Sequence, residues 1–322
     1  MRVPSIGLLL PTRELLLADA ASPEPLLSLA RDAEAAGLAS LWVGDGITNR
    51  PRLDPMVVLA ALSSVTTTIA LGTAVLLAPL RHPVILAHQC ASLDWVTQGR
   101  LILGLGSGFP TPDSMRQSQH LGSAHDTRHE RLADTVRFLR ACWAEAPGRE
   151  VTFRGATFGV EQLTLALRPA RQAGPPFWLP GSGRASIRRV AELADGWLPY
   201  PVTAERYATQ WSSITSLAAA ANRPTPTAAL YATVAIDDDV DRAHAGLDRA
   251  LRNYYGWGID VIGRVQAVRA GTADDVAAWL AGYAAAGADH VVVRFAGTDP
   301  RRGLDLLSSR VLPRLTTLLA ER

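Results

Sequence analysis

The 322-residue chain contains no lysine, because all 32 of its Lys and Arg residues are arginine. Schiff-base aldolases and pyridoxal-phosphate enzymes need a lysine amine, and a P-loop needs a lysine that contacts phosphate. The absence excludes these three classes. Cysteine is nearly as scarce, since Cys90 and Cys142 are too few for a disulfide framework or a zinc site with four thiolates.

Charge of one sign and long apolar runs are missing as well. The formal net charge is +2, which argues against a nucleic-acid binder because phosphate recognition needs a concentrated basic face. No stretch reaches the ~18 consecutive apolar residues of a membrane span. The first ten residues also lack the apolar core and cleavage site of a signal peptide. These absences predict a cytoplasmic protein that binds neither membrane nor nucleic acid.

Short apolar runs instead alternate with amphipathic stretches along the chain. Helical patterns separate eight runs that are typical of buried parallel strands. The runs are 3–10, 40–43, 69–77, 101–105, 176–180, 196–199, 228–236 and 290–295. This repeat predicts an α/β fold, a single (β/α)8 barrel domain over residues 1–322. An open doubly wound sheet is the alternative.

Two segments interrupt the repeat. Residues 148–165 begin with an alternating pattern, which predicts a small inserted hairpin. Residues 110–128 are polar, and we interpret them as a lid over the active site. His125 and His129 lie four residues apart, but Asp126 stands where the zincin pattern requires glutamate. No metal site is therefore predicted.

The active site of a (β/α)8 barrel lies at the carboxyl ends of its strands. One glycine-rich turn, Gly181-Ser182-Gly183, separates a predicted strand from a helix that begins near Arg184. Backbone amides at a helix N-terminus bind anions, and the Ser182 hydroxyl and Arg184 would add a donor and a charge. From these residues alone, an ordinary strand-to-helix turn is an equally good interpretation.

Four stretches together resemble the luciferase-like monooxygenase superfamily of bacterial flavin- and deazaflavin-dependent oxidoreductases. They are ARDAEAAGLASLWVGD (30–45), the run 54–108 with LGTAVLLAPLRHP, PPFWLPGSGRASIRRVAELADGW (175–197) and GTADDVAAWLAGYAAAGADHVVVR (271–294). The resemblance implies a (β/α)8 barrel with inserted segments. It also implies an enzyme that uses FMN or coenzyme F-420 to transfer hydride or activated oxygen to a small organic substrate.

The resemblance assigns a cofactor role to several residues after the strands. Relatives often carry a non-prolyl cis peptide at the Thr73-Ala74 region, behind the ring, and they bind phosphate at the turn 181–183 and near Tyr200. Gly106 and Ser107 belong to a glycine-rich run that would let a flat ring approach the backbone. The implied cofactor contacts are therefore Thr73, Ala74, Gly106, Ser107, Gly181, Ser182, Gly183, Arg184 and Tyr200.

Asp45 is the candidate catalytic residue, as a proton relay or a ring contact. Many deazaflavin-dependent relatives have an acidic residue followed by a catalytic histidine here, but this chain has Gly46. The histidine mechanism therefore cannot be transferred to this chain. The alternative for Asp45 is a turn aspartate that caps local backbone.

Other functions and partners remain open from the sequence. A noncatalytic flavin-binding protein is one alternative, and a barrel isomerase or aldolase of a phosphorylated metabolite is another. The choice between FMN and F-420 is open too. The expected partners are a small-molecule substrate, a separate flavin or deazaflavin reductase, and a second copy of the chain, because relatives commonly dimerise through helices near strands two and three.

Overall fold

The computed structural model describes residues 1–17, 22–48, 52–201, 203–297 and 299–321. Its strands, numbered along the chain, fall within one residue of the predicted runs or in the predicted hairpin, except β11, which the sequence did not predict. They are β1 (Ser5–Leu9), β2 (Ser40–Val43), β3 (Ala70–Thr73), β4 (Leu76–Leu77), β5 (Leu101–Gly106), β6 (Glu150–Arg154), β7 (Gly159–Thr164), β8 (Phe177–Leu179), β9 (Gly196–Trp197), β10 (Thr227–Ile236), β11 (Val268–Gly271) and β12 (His290–Phe295).

Eight of these strands form a closed parallel barrel in the order β1-β2-β3-β5-β8-β9-β10-β12. The barrel closes because β12 pairs with β1, with Ser5 opposite His290. Pairing of β9 with β10, with Thr227 opposite Gly196, completes the other side. This closure confirms the (β/α)8 prediction and excludes the open sheet.

The helices lie between the strands, as the amphipathic patterns predicted. They are α1 (Thr12–Leu17), α2 (Glu24–Ala35), α3 (Pro55–Ser63), α4 (Pro83–Val96), α5 (Pro112–His120), α6 (Arg128–Ala144), α7 (Arg184–Leu193), α8 (Ala204–Ala220), α9 (Val240–Tyr255), α10 (Ile259–Ile262), α11 (Ala273–Ala285), α12 (Pro300–Leu306) and α13 (Leu312–Ala320). A π-helical turn, Leu307–Val311, joins the last two. Within the described ranges, no helix is long and apolar enough to cross a membrane.

The two inserted segments have different secondary structures. Strands β6 and β7 pair as an antiparallel hairpin within residues 148–165, as predicted. Phe153 and Phe158 of this hairpin pack against Phe138 of α6, each with ring centroids 5.5 Å from that ring. Residues 110–128 contain the helix α5, whose N-cap Thr111 accepts a hydrogen bond from the Ser114 amide. Their role as a lid stays a prediction.

A buried polar cluster fills the amino-terminal end of the barrel interior. The Trp42 indole N–H donates to Ser40 Oγ over 2.6 Å, and Ser40 Oγ lies 2.8 Å from His290 Nε2. The Trp178 ring centroid is 5.0 Å from that of Trp42. Burial lowers the pKa of His290 to about 4, so the imidazole is neutral and its Nε2 shares one hydrogen bond with the Ser40 hydroxyl.

A bulge interrupts the third barrel strand near its carboxyl end. Below it, Leu71 lies opposite Leu101, whereas above it Leu76 lies opposite Leu105, so one extra residue is accommodated on this side. The peptide bond between Ala74 and Val75, within the bulge, is cis. The cis bond agrees with the expectation for this region. The bulge lies at the carboxyl ends of the barrel strands, where the site is expected.

Candidate functional site

A cavity of about 290 Å³ opens at the carboxyl ends of the barrel strands. Its wall comes from the loop after β2, the bulge, the end of β5, helices α5 and α6, the β8–α7 turn, and residues of β10 and α9. Six residues selected from the sequence line it: Asp45, Ala74, Gly106, Ser107, Gly181 and Tyr200. These residues come from five separate stretches of the chain, and the barrel brings them to one opening.

Four of the selected residues are not in the described cavity wall. Thr73 is fully buried below it, and its hydroxyl donates to the Gly104 carbonyl over 2.7 Å. The Ser182 carbonyl accepts a hydrogen bond from Gln210 Nε2 over 2.9 Å. Gly183 is the N-cap of α7 and Arg184 is its first residue, and both are exposed.

The N-terminus of α7 has no side-chain cap, a feature that it shares with α2, α4 and α6. Side chains of Asp or Thr accept hydrogen bonds from the first turns of α3, α5, α8, α9 and α11. In contrast, α7 begins after Gly183 without a side-chain cap. The first amides of a helix have no intrahelical acceptor, so this turn keeps donors and a positive dipole end for an anion. Gly181, with a φ of +111°, lies beside it in the cavity wall.

Three residues that the sequence interpretation missed extend this end of the cavity. Ser186 and Arg189 of α7 line the wall together with His129 of α6. Ser107 Oγ lies 2.9 Å from His129 Nδ1. Burial, followed by the charges of Arg128 and Arg189, lowers the pKa of His129. The i, i+3 spacing of Ser186 and Arg189 places them on one face of the helix. This spacing was the sequence signal that could have identified them as a pair.

The opening of the cavity at the carboxyl ends of the strands is called the barrel mouth. At this mouth, Asp45 joins the loop after β2 to the segment around Leu77 and Arg81. Its two oxygens accept from Arg81, over 2.5 and 3.2 Å, and the Leu77 amide donates to Oδ2 over 2.8 Å. Burial alone would lower the pKa of Arg81, but the hydrogen bonds and charge of Asp45 raise it. The carboxylate side chain is 2% exposed. These contacts favour positioning over proton transfer for Asp45.

The opposite part of the cavity wall is rich in tyrosine and arginine. Tyr231, Tyr254, Tyr255 and Arg52 line it. Directly behind them, the guanidinium carbon of Arg294 lies 3.6 Å from the Tyr254 ring centroid. The sequence analysis gave none of these five residues a role. They lie in separate parts of the chain, so no local motif links them.

The comparison with protein families decides which of the sequence interpretations applies. Residues 5–290 match the family of luciferase-like monooxygenases. The chain belongs to this family. Membership confirms the resemblance and favours an oxidoreductase over the isomerase and aldolase alternatives. It leaves the substrate and the choice between FMN and F-420 open.

The proteins that this chain is similar to are described with both kinds of cofactor. An "F420-dependent hydroxymycolic acid dehydrogenase" of Mycobacterium tuberculosis is 30% identical over 181 residues, 54% of this chain and 48% of that relative. The chain thus matches about half of that protein's length. An "F420-dependent secondary alcohol dehydrogenase" bound to an F420-acetone adduct has a TM-score of 0.81 and 18% identity, with 98% and 99% of the two chains covered.

A third similar protein carries a flavin. It is the oxygenating constituent of 3,6-diketocamphane monooxygenase from Pseudomonas putida, in complex with FMN. The TM-score is 0.75 at 17% identity, with 97% of this chain and 99% of that chain covered. At such low identity, the two structural comparisons establish the shared fold and nothing finer.

Proposed function

We propose that the chain is an oxidoreductase that binds reduced FMN or coenzyme F-420 at the barrel mouth and acts on a small organic substrate. The observation that carries the proposal is that the bulge after β3 and the uncapped N-terminal part of α7 line the same cavity. When bound, the reduced cofactor supplies a hydride or, as a flavin, activates oxygen. A separate flavin or deazaflavin reductase would supply it in reduced form.

The residues at the N-terminus of α7 suit the phosphate of either cofactor. Amides of the first helical turn would donate to phosphate oxygens, while Arg189 adds a positive charge and Ser186 a hydroxyl. Gly181 needs to be small here, because a Cβ atom would lie 2.6 Å from the Ser186 Cβ. The exposed Arg184 would reach a phosphate only from the rim.

The bulge would support the cofactor ring from below. Ala74, Val75 and Gly106 line the cavity, and a Cβ atom at Gly106 would lie 2.4 Å from Val75 Cγ2. The glycine therefore lets the bulge approach β5, so the ring would rest on a smooth apolar surface. Burial raises the pKa of Tyr200 and Tyr231. Their hydroxyls stay protonated at neutral pH, and each can donate to a substrate oxygen.

Replacement of Arg189 by glutamine is expected to weaken FMN binding about tenfold, because a charge-assisted contact to phosphate is lost. Riboflavin, which lacks the phosphate, should bind both proteins alike. Anaerobic titration followed by absorbance measures each affinity, and the same pair of measurements applies to F-420 and its phosphate-free chromophore. Arg188→Gln is the matched control, since Arg188 is exposed on the same helix and pairs with Glu192. Equal affinities of the native chain for FMN and riboflavin would contradict the phosphate assignment.

We also propose that two copies associate through α3 and α4. Val57, Ile85 and Trp95 on these helices are 69%, 57% and 65% exposed, so both helices present large apolar side chains to solvent. Trp95→Glu should convert a dimer into a monomer in sedimentation velocity, because a charge would be buried at the contact. Trp257→Glu is the control, since Trp257 is 60% exposed outside these helices. A native chain that sediments as a monomer at micromolar concentration would refute the proposal.

A further inference from the structure

Four hydrogen-bonding side chains meet at the α7 end of the cavity. Ser107 follows β5, His129 lies in the first turn of α6, and Ser186 and Arg189 lie on α7. The guanidinium of Arg189 interacts with Glu130 through charge alone, without a hydrogen bond, so its N–H groups remain for a ligand. Hydroxyls, an imidazole and a guanidinium are donors that suit an anion.

His129 keeps one ring nitrogen for such a ligand. Its Nδ1 lies 2.9 Å from Ser107 Oγ. Its Nε2 has no hydrogen-bond partner among the described residues and, unlike Nε2 of His125, it is not closed to solvent. Both His129 and Ser107 line the cavity. The pair therefore presents one imidazole nitrogen and one hydroxyl group to a bound molecule.

Protonation changes how many donors the pair offers. In a neutral imidazole one nitrogen donates and the other accepts, whereas in the imidazolium both donate. The neutral pair uses one of its donors in the contact between His129 and Ser107, which leaves a single donor for a ligand. In the charged pair, Nδ1–H donates to Ser107 Oγ, so Nε2–H and the serine hydroxyl can both donate to a ligand. Protonation therefore adds a second donor and a positive charge.

The groups around His129 disfavour the imidazolium when no anion is bound. Burial lowers its pKa most, followed by the charges of Arg128 and Arg189 and then that of His125. The charge of Glu130 acts in the opposite direction. An anion bound between His129 and Arg189 would reverse this balance, because an opposite charge favours the protonated imidazole. The site would then take up a proton as the anion binds.

We propose that His129 is a proton-linked ligand of the cofactor phosphate, which it binds together with Ser107 and one proton taken up from solvent. The imidazolium donates from Nε2 to one phosphate oxygen, and the freed Ser107 hydroxyl donates to a second. The proposal rests on the proposed function for the identity of the ligand. It adds that the affinity for the cofactor depends on pH.

The proton link fixes the direction of this pH dependence. In the free protein the pKa of His129 lies below the ~6.5 of an ordinary histidine, and in the complex the phosphate raises it. Between the two pKa values binding takes up a proton, so the affinity rises as the pH falls. The second pKa of a phosphate monoester is ~6, so FMN stays mostly dianionic above it. From pH 8.5 to 6.5, the affinity for FMN should rise about tenfold.

Absorbance titration of the purified full chain with FMN at these two pH values tests the proposal. Riboflavin, which lacks the phosphate, should bind within about twofold at both. His129→Asn can still form a hydrogen bond with Ser107 but does not titrate, so its affinity for FMN should also stay within about twofold. His125→Asn is the matched control, because His125 lies outside the described cavity wall, near Ser118 of α5. It should keep the tenfold change.

Two further measurements complete the comparison. Thermal melting establishes that each variant is folded, and His129→Gln provides a second neutral replacement if asparagine disturbs the start of α6. The same titrations with F-420 and its phosphate-free chromophore cover the other cofactor.

Three results would overturn the proposal. They are an affinity of the native chain that is equal at the two pH values, a native pH dependence in both His129 variants, or loss of the pH dependence in His125→Asn alone. Phosphate-dependent binding without any pH dependence would refute only the proton link. Failure of both FMN and F-420 to bind would instead refute the proposed function, and the role of His129 with it.

Discussion

Replacement of Gly104 by alanine is expected to destabilise the barrel by about 3 kcal/mol or more, because the new methyl group has no room. Its Cβ would lie 1.9 Å from the Thr73 carbonyl oxygen, which is backbone and cannot rotate away. Thr73 and Gly104 are already in close contact, because the Thr73 hydroxyl donates to the Gly104 carbonyl over 2.7 Å. The clash would therefore push the bulge and β5 apart. Denaturant unfolding of the soluble fraction measures the loss.

Gly246→Ala is the matched control for this experiment. Gly246 lies within α9, and nothing comes within 4 Å of a Cβ atom built there. Alanine is the better helix former, so this variant should be more stable by about 0.5–1 kcal/mol. A Gly104→Ala protein with native stability would show that the bulge can move to accept a side chain. The need for glycine at this position would then be refuted.

Acid is expected to destabilise the fold through His290. Its folded pKa of about 4 lies below the ~6.5 of an unfolded histidine. Both states are neutral above pH 6.5, whereas between pH 6.5 and 4 only the unfolded chain takes up the proton. The free energy of unfolding therefore falls as the pH decreases through this window. From pH 7.5 to 4.5, His290 alone should account for a loss of about 2–3 kcal/mol.

Urea unfolding of His290→Gln at these two pH values isolates that contribution. Glutamine can still form a hydrogen bond with Ser40 but does not titrate. The variant should be less stable at pH 7.5 because its shape differs, and its loss between the two pH values should be smaller by about 2–3 kcal/mol. An unchanged slope in His290→Gln would contradict a neutral buried imidazole.

The barrel was predictable from the sequence because its signal is repeated. Each predicted run overlaps an observed barrel strand to within one residue, since a strand covered on both faces must be apolar almost throughout. The helical patterns carry less detail, because residues 300–320 form α12, a π-helical turn and α13 rather than one uniform helix. Periodicity detects a buried face, but it does not detect a change of helical pitch.

The cavity was predictable only in part. Gly106 and Gly181 were found because glycines after strands are local signals, but the sequence did not indicate that Gly104 accommodates the bulge. Arg52 and Tyr254 were missed because they are about 200 positions apart in the chain and meet only through the barrel. Arg189 was missed because the glycine-rich turn indicates Arg184, the first residue of α7, whereas the face of α7 that lines the cavity includes Arg189.

The extra residue in the third strand also fixes which side chains face inward above it. Side chains alternate between the two faces of a strand, so one inserted residue exchanges the faces for every position that follows. In the native chain, Leu76 is fully buried, whereas Leu77 lines the cavity. Deletion of Ala74 would restore one continuous register with β5 and exchange the inward and outward positions. The bulge thus decides which of two adjacent, chemically identical side chains lines the cavity.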